Sequence, residues 1–173
     1  MRRCAHVVNA ALIALLVGGS LWAFPRLPAR IPRHFGIGGT ADAYWDATLL
    51  HWMLGPAIAL VVVGIVYGAA WWTGHAPGSV NVPNQQQYNA LAPAEKRVIL
   101  RDVQVFLYGT ATAMLVLFSV IQASTYHMAT TGADTLPTAG WVVSVGMPVG
   151  LLVAALGLAW WLPRRMRGLA DDS

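Results

Sequence analysis

Four long apolar stretches limit what this chain can become; they run roughly over residues 7–24, 54–72, 103–126 and 140–162. Each has about the 17–25 residues that a helix needs to cross a hydrocarbon core of roughly 30 Å. The eight tryptophans sharpen this reading. Trp22, Trp45, Trp52, Trp71, Trp72, Trp141, Trp160 and Trp161 all lie at or just beyond an end of a stretch, never in its middle. Indole is amphipathic and prefers the headgroup level, so such placement marks membrane boundaries. The expected fold is all-α and integral to a membrane: one domain, 1–173, built as a four-transmembrane-helix bundle with a Pro/Gly-rich extracytoplasmic loop between helices 1 and 2.

Composition and charge agree. Only 10% of residues are charged and 57% are hydrophobic, against about 25% charged in ordinary soluble domains. The single cysteine, Cys4, excludes an internal disulfide and a thiolate metal cage. As a juxtamembrane thiol, Cys4 is either a palmitoylation candidate or an unmodified bystander. The eleven Lys and Arg residues cluster beside the apolar stretches rather than along a soluble face, which argues against nucleic acid as a partner. Arg2, Arg3, Lys96, Arg97, Arg101, Arg164, Arg165 and Arg167 fall on one side, and only Arg26, Arg30 and Arg33 on the other. The positive-inside rule then puts both termini and the 73–102 loop in the cytoplasm of an inner (plasma) membrane. The 25–53 loop and a shorter one near 127–139 face outward. The first stretch is expected to be retained. It is longer than a signal-peptide core, and Leu21 and Trp22 are bulky where cleavage favours small residues.

Within the stretches, small-xxx-small pairs at Gly64/Gly68, Gly146/Gly150 and Gly109/Ala113 predict close helix packing inside the bundle, with a homo-oligomer interface as the alternative. Pro56 and Pro148 are expected to bend or loosen their helices. The polar residues at depth are Asn9, Thr110, Thr112, Ser119, Gln122 and Ser144, with no Asp, Glu, Lys or Arg. Pumps and ion-coupled transporters keep ionisable groups there to carry charge, so this pattern argues against them.

The outer loop carries the clearest pattern. Pro25, Pro28 and Pro32 hold the chain extended, and Gly36, Gly38 and Gly39 then permit a tight reversal. The expected product is a compact, stiff cap. The run Pro28-x-x-Ile31-Pro32-x-His34-Phe35, followed by a Gly-containing turn and Asp42 before an aromatic, resembles the domain of unknown function 1648. That domain occurs in small bacterial membrane proteins and in proteins similar to the immunity protein SdpI. Asn81-Val82-Pro83-Asn84 and Tyr88 resemble an inner segment of short family members. A lysine that commonly follows the aromatic is missing here, where Asp46-Ala47-Thr48 stands instead. The resemblance implies membrane location and a role in immunity, sensing or envelope maintenance, but no reaction. Its candidate binding residues are Pro32, His34, Phe35, Gly39, Asp42, Asn81, Pro83 and Asn84.

His34, Asp42, Asp46 and His51 have side chains that suit zinc, yet their spacing matches no compact metal motif. His34 is expected instead to bond a backbone carbonyl or to pair with Asp42, and no metal or cofactor is expected. No nucleophile elbow, phosphate loop or His-Glu-x-x-His is present, so the expectation is a non-enzyme. Its outer loop would recognise a membrane or secreted protein or peptide, or a lipid headgroup. The alternative is a small oligomeric transporter or membrane-enzyme subunit, with Asn9, Gln122 and the Pro148 bend lining a cavity. Residues 92–101 read as a helix start lying at the interface and running into the third span. The tail beyond Leu169 reads as disordered.

Overall fold

The computed structural model describes residues 2–171, and its long helices follow the four apolar stretches. α1 (Arg2–Ala23) passes through a 3-10 turn at Phe24–Arg26 into two strands, β1 (Arg30–Phe35) and β2 (Ala41–Asp46). α2 (Leu49–His75) returns to the opposite end, where α3 (Gln85–Ala90) forms a short helix before α4 (Pro93–Thr131) and α5 (Thr138–Asp171). α1, α2, α4 and α5 are each long and apolar enough to cross a membrane. The architecture is that of a multi-pass membrane protein.

Three expectations need correction. The fold is not purely α: the loop between the first two long helices is an antiparallel hairpin pairing Arg30 with Asp46 and Phe35 with Ala41, with register shifts around His34. Residues 41–46 alternate half-buried and exposed, the period of a strand with one face covered. The small-residue pairs also sit differently. Gly64, Gly68, Gly109, Gly146 and Gly150 face open space, with nothing within 4 Å of an added Cβ. Finally, α5 is helical through Asp171 rather than frayed after Leu169, because Leu162 and Met166 are buried and hold its last turns down. Asp172 and Ser173 lie outside the described residues.

α2 and α5 run as continuous helices through Pro56 and Pro148. The basic segment near residue 96 is continuous with the third span, as α4 is one helix of 39 residues. Glu95 accepts the Ala92 N–H at 2.7 Å at its start, and Gly132 ends it with φ of 70°, a conformation that glycine adopts without steric cost.

α4 is the centre of the bundle and packs on α1, α2 and α5. Leu16, Ala59, Val63, Ala111 and Leu115 form the middle core. Polar ties cross it at both levels. The Asn9 amide donates to the Tyr67 hydroxyl at 2.9 Å and accepts from Thr112 at 2.7 Å, joining α1, α2 and α4. Gln104 Nε2 donates to the Ala70 carbonyl at 2.8 Å, and Gln122 Nε2 to the Trp52 carbonyl at 3.1 Å. An added Cβ would lie 2.6 Å from Gln104 Nε2 at Gly74 and 3.1 Å from Gln122 Oε1 at Gly55. Close approach therefore occurs at Gly74 and Gly55 against a long amide, and at Gly140, where α5 meets Ser124 of α4; small residues let membrane helices approach in this way. α5 is peripheral, and no residue of its most apolar stretch is buried.

Candidate functional site: the anchored hairpin

β1 supplies the peg that seats the hairpin. Ile31, 2% exposed, enters a cluster with Ala23 and Trp52. Trp52 departs from the boundary role that its position predicts: it is buried, and its indole donates to the Ser20 carbonyl at 2.7 Å. At the base of the hairpin the Ala47 N–H bonds the Ala29 carbonyl at 2.9 Å. Its tip is tied to the segment between α4 and α5. The Ala41 N–H donates to the Asp134 carbonyl at 3.1 Å, the Leu136 N–H to the Gly39 carbonyl at 2.8 Å, and Trp141 Nε1 to the Ile37 carbonyl at 2.9 Å. Sequence position marks Trp141 only as a boundary residue; its bond to Ile37 spans 104 positions and leaves no local signal.

The motif residues divide by direction. Pro32 and Gly39 are buried and Phe35 is half-buried, so they build the cap. His34 and Asp42 point outward, with side chains 67% and 53% exposed, and His34 Nδ1 meets Asp42 Oδ1 at 2.7 Å. The expected pairing of these two residues is present. It fixes the ring orientation by engaging one of its two distinct nitrogens. Tyr44 and Asp46 share the exposed side of β2 with Asp42. Trp45 lies on the other side, stacked on His51 at 4.8 Å, with the Arg33 guanidinium 5.4 Å from its centroid. His51 Nδ1 also engages the Asp46 carbonyl at 2.9 Å. Among the described residues, no three His, Cys, Asp or Glu side chains converge as a metal site would require.

Asn81, Pro83 and Asn84 are not brought to the hairpin; they lie at the opposite end of the bundle. Asn84 adopts φ of 60° and caps α3, its side-chain oxygen accepting from the Gln87 N–H at 3.3 Å. The turn folds Val82 and Tyr88 onto Leu91, Ile99, Leu100, Leu162 and Met166, a core beyond the apolar spans. Tyr88 is 1% exposed, and burial pushes its phenol above the ordinary value. Its hydroxyl donates to the Pro77 carbonyl at 3.1 Å. The residues of the transporter alternative are also dispersed. Asn9 bonds Thr112, about 15 Å along α4 from Gln122, and Pro148 is exposed.

No curated protein matches the chain, and no solved structure does either. A family model matches residues 11–60, from the third turn of α1 through the hairpin into α2, and leaves the Asn81–Asn84 turn outside. The unit formed by α1, the hairpin and the start of α2 thus resembles the Domain of unknown function (DUF1648).

Proposed function

We propose that this protein is a non-enzymatic component of a bacterial inner membrane whose hairpin faces outward and recognises a peptide or protein partner at the membrane surface, in the manner of an immunity or sensor protein. The observation that carries this reading is the division of labour in the hairpin. Its buried residues and tip bonds hold it rigid, while His34, Asp42 and Tyr44 present an ordered polar and aromatic row to the outside. Rigid presentation lowers the ordering cost of binding, and exposed polar groups on a scaffolded loop are where recognition usually resides. Outward orientation rests on the charge asymmetry, with both termini and the α2–α4 connection assigned to the cytoplasm.

The test is site-specific photocrosslinking from Tyr44 in intact cells. A discrete adduct is expected, and His34→Ala combined with Asp42→Ala is expected to remove it while the protein accumulates at its normal level. An adduct indifferent to both replacements, or crosslinks to lipid alone, would defeat this reading.

A further inference from the structure

At the end of the bundle away from the hairpin, α5 carries three arginines, and the fold gives each a different setting. Arg164 folds back along its own helix: its guanidinium donates to the Trp160 carbonyl at 2.9 Å and lies 3.4 Å from the centre of the Trp160 ring. Arg165 reaches α4, its Nε 3.9 Å from Asp102 Oδ2. Arg167 has no partner among the described residues. It lines a recess of about 470 Å³ between α5 and the start of α3, together with Asn84, Gln86, Gln87 and Pro163.

The chemistry of this recess is one-sided. None of its five lining residues is acidic. Asn84 Nδ2 donates to Gln87 Oε1 at 3.0 Å, which engages the oxygen of that amide and leaves its NH2 to donate. The Gln86 amide forms no bond among the described residues. A guanidinium and two free amides around a space without a carboxylate suit an oxyanion, and the planar guanidinium fork matches a phosphate. The surroundings say where that phosphate comes from. Arg167 lies five residues, or about 7.5 Å, beyond Leu162, where the fourth apolar stretch ends. That is the depth of the headgroup layer outside a hydrocarbon core. Leu156, Trp160, Pro163 and Arg167 recur at helical spacing on one face of α5, and Leu156 and Trp160 are both exposed. An uncovered apolar wall thus runs from the span to the recess, which an acyl chain needs and a soluble phosphate does not.

We propose that this recess binds the phosphate of an anionic glycerophospholipid, with Arg167 and the Gln86 and Gln87 amides donating to its oxygens and the acyl chains lying along Trp160 and Leu156. Basic recesses at the ends of membrane helices are where such headgroups are held. A zwitterionic headgroup fits less well, because its ammonium would meet no carboxylate there. The site is independent of the hairpin reading, since none of His34, Asp42 and Tyr44 takes part.

The experiment is native mass spectrometry of the purified full-length protein in detergent, titrated with short-chain phosphatidylglycerol and, separately, with phosphatidylcholine of the same chains. The first phosphatidylglycerol is expected to bind about tenfold more tightly than the first phosphatidylcholine. Arg167→Gln should weaken that binding by about tenfold, the worth of one charge-assisted hydrogen bond, and Gln86→Leu by about threefold. Arg97→Gln removes the same charge from the same end of the bundle, but Arg97 is exposed and outside the recess, so the affinity should be nearly unchanged. Excess inorganic phosphate should not displace the lipid. Arg167 is itself exposed, so its replacement should not impair accumulation, and Gln86→Leu carries the test should it do so. Equal binding of the two lipids, equal losses for Arg167→Gln and Arg97→Gln, indifference to both Arg167→Gln and Gln86→Leu, or displacement by inorganic phosphate overturns the assignment.

Discussion

Trp141 Nε1 donates to the carbonyl of Ile37 at 2.9 Å, so the start of α5 and the tip of the hairpin are one mechanical unit. This bond and the two backbone bonds from Ala41 and Leu136 hold a helix whose apolar middle has no buried residue. α5 is consequently fixed at its two ends, by the hairpin at one and by Leu162 and Met166 at the other. Trp141→Phe keeps a smaller aromatic ring and removes the donor. A lost hydrogen bond of this kind is worth about 1 kcal/mol, or roughly fivefold in a local opening equilibrium. Hydrogen exchange at the Ala41 and Leu136 amides should accelerate by that factor while the core of α4 is unchanged.

Gly39 should be the least replaceable glycine of the turn. Its φ is 79°, and an added Cβ would lie 3.1 Å from Trp141 Cδ1. Gly39→Ala should therefore cost about 1–2 kcal/mol from the backbone alone, seen as a lower thermal midpoint in detergent. Gly38→Ala meets nothing within 4 Å and should leave the midpoint nearly unchanged. Equal effects at the two positions would contradict the described turn.

Helix packing gives a second paired comparison. Gly74→Ala collides with Gln104 Nε2 and should break its bond to Ala70, at a cost of about 1 kcal/mol. Gly64→Ala and Gly68→Ala point into open space and should not destabilise the monomer. Should the last two prove the damaging ones when unfolding is followed in detergent, the helix faces would be assigned the wrong way round.

The proposed orientation is accessible to a labelling experiment. In a Cys4→Ser background, a cysteine at Thr40 should react with a membrane-impermeant thiol reagent on intact cells, and one at Gln86 should not. Both positions are exposed in the fold, so accessibility depends on the membrane alone. The reverse pattern would put the hairpin in the cytoplasm and end the proposal that it meets a partner outside.

Tyr88 predicts an alkaline limb in stability. Burial raises its folded pKa above the ordinary range of a phenol, so folding favours the neutral phenol. That contribution is complete below the unfolded pKa and is lost as pH rises through the higher folded value. Unfolding of the core around Val82 and Met166 should become easier only above about pH 10. Tyr88→Phe should flatten this limb while costing about 1 kcal/mol at neutral pH through the lost bond to Pro77.

The sequence by itself determined the number of long helices. Apolar length and tryptophan position are local properties set by the solvent that a segment must meet, so each stretch declares itself without its neighbours. The pairing of His34 with Asp42 was also legible, because eight residues containing a glycine turn bring the two close. Tertiary structure alone decided which glycines are contacts, since Gly64 and Gly74 look alike until a neighbouring Gln104 arrives at one of them. It also decided that Trp52 is core while Trp22 is exposed, that the tip of the hairpin holds α5, and that the buried Ser119 hydroxyl has no partner among the described residues. Each of these depends on contacts between segments far apart in the chain. Such contacts are set by how helices of similar apolar length rotate and pair, and nothing local in the sequence encodes that.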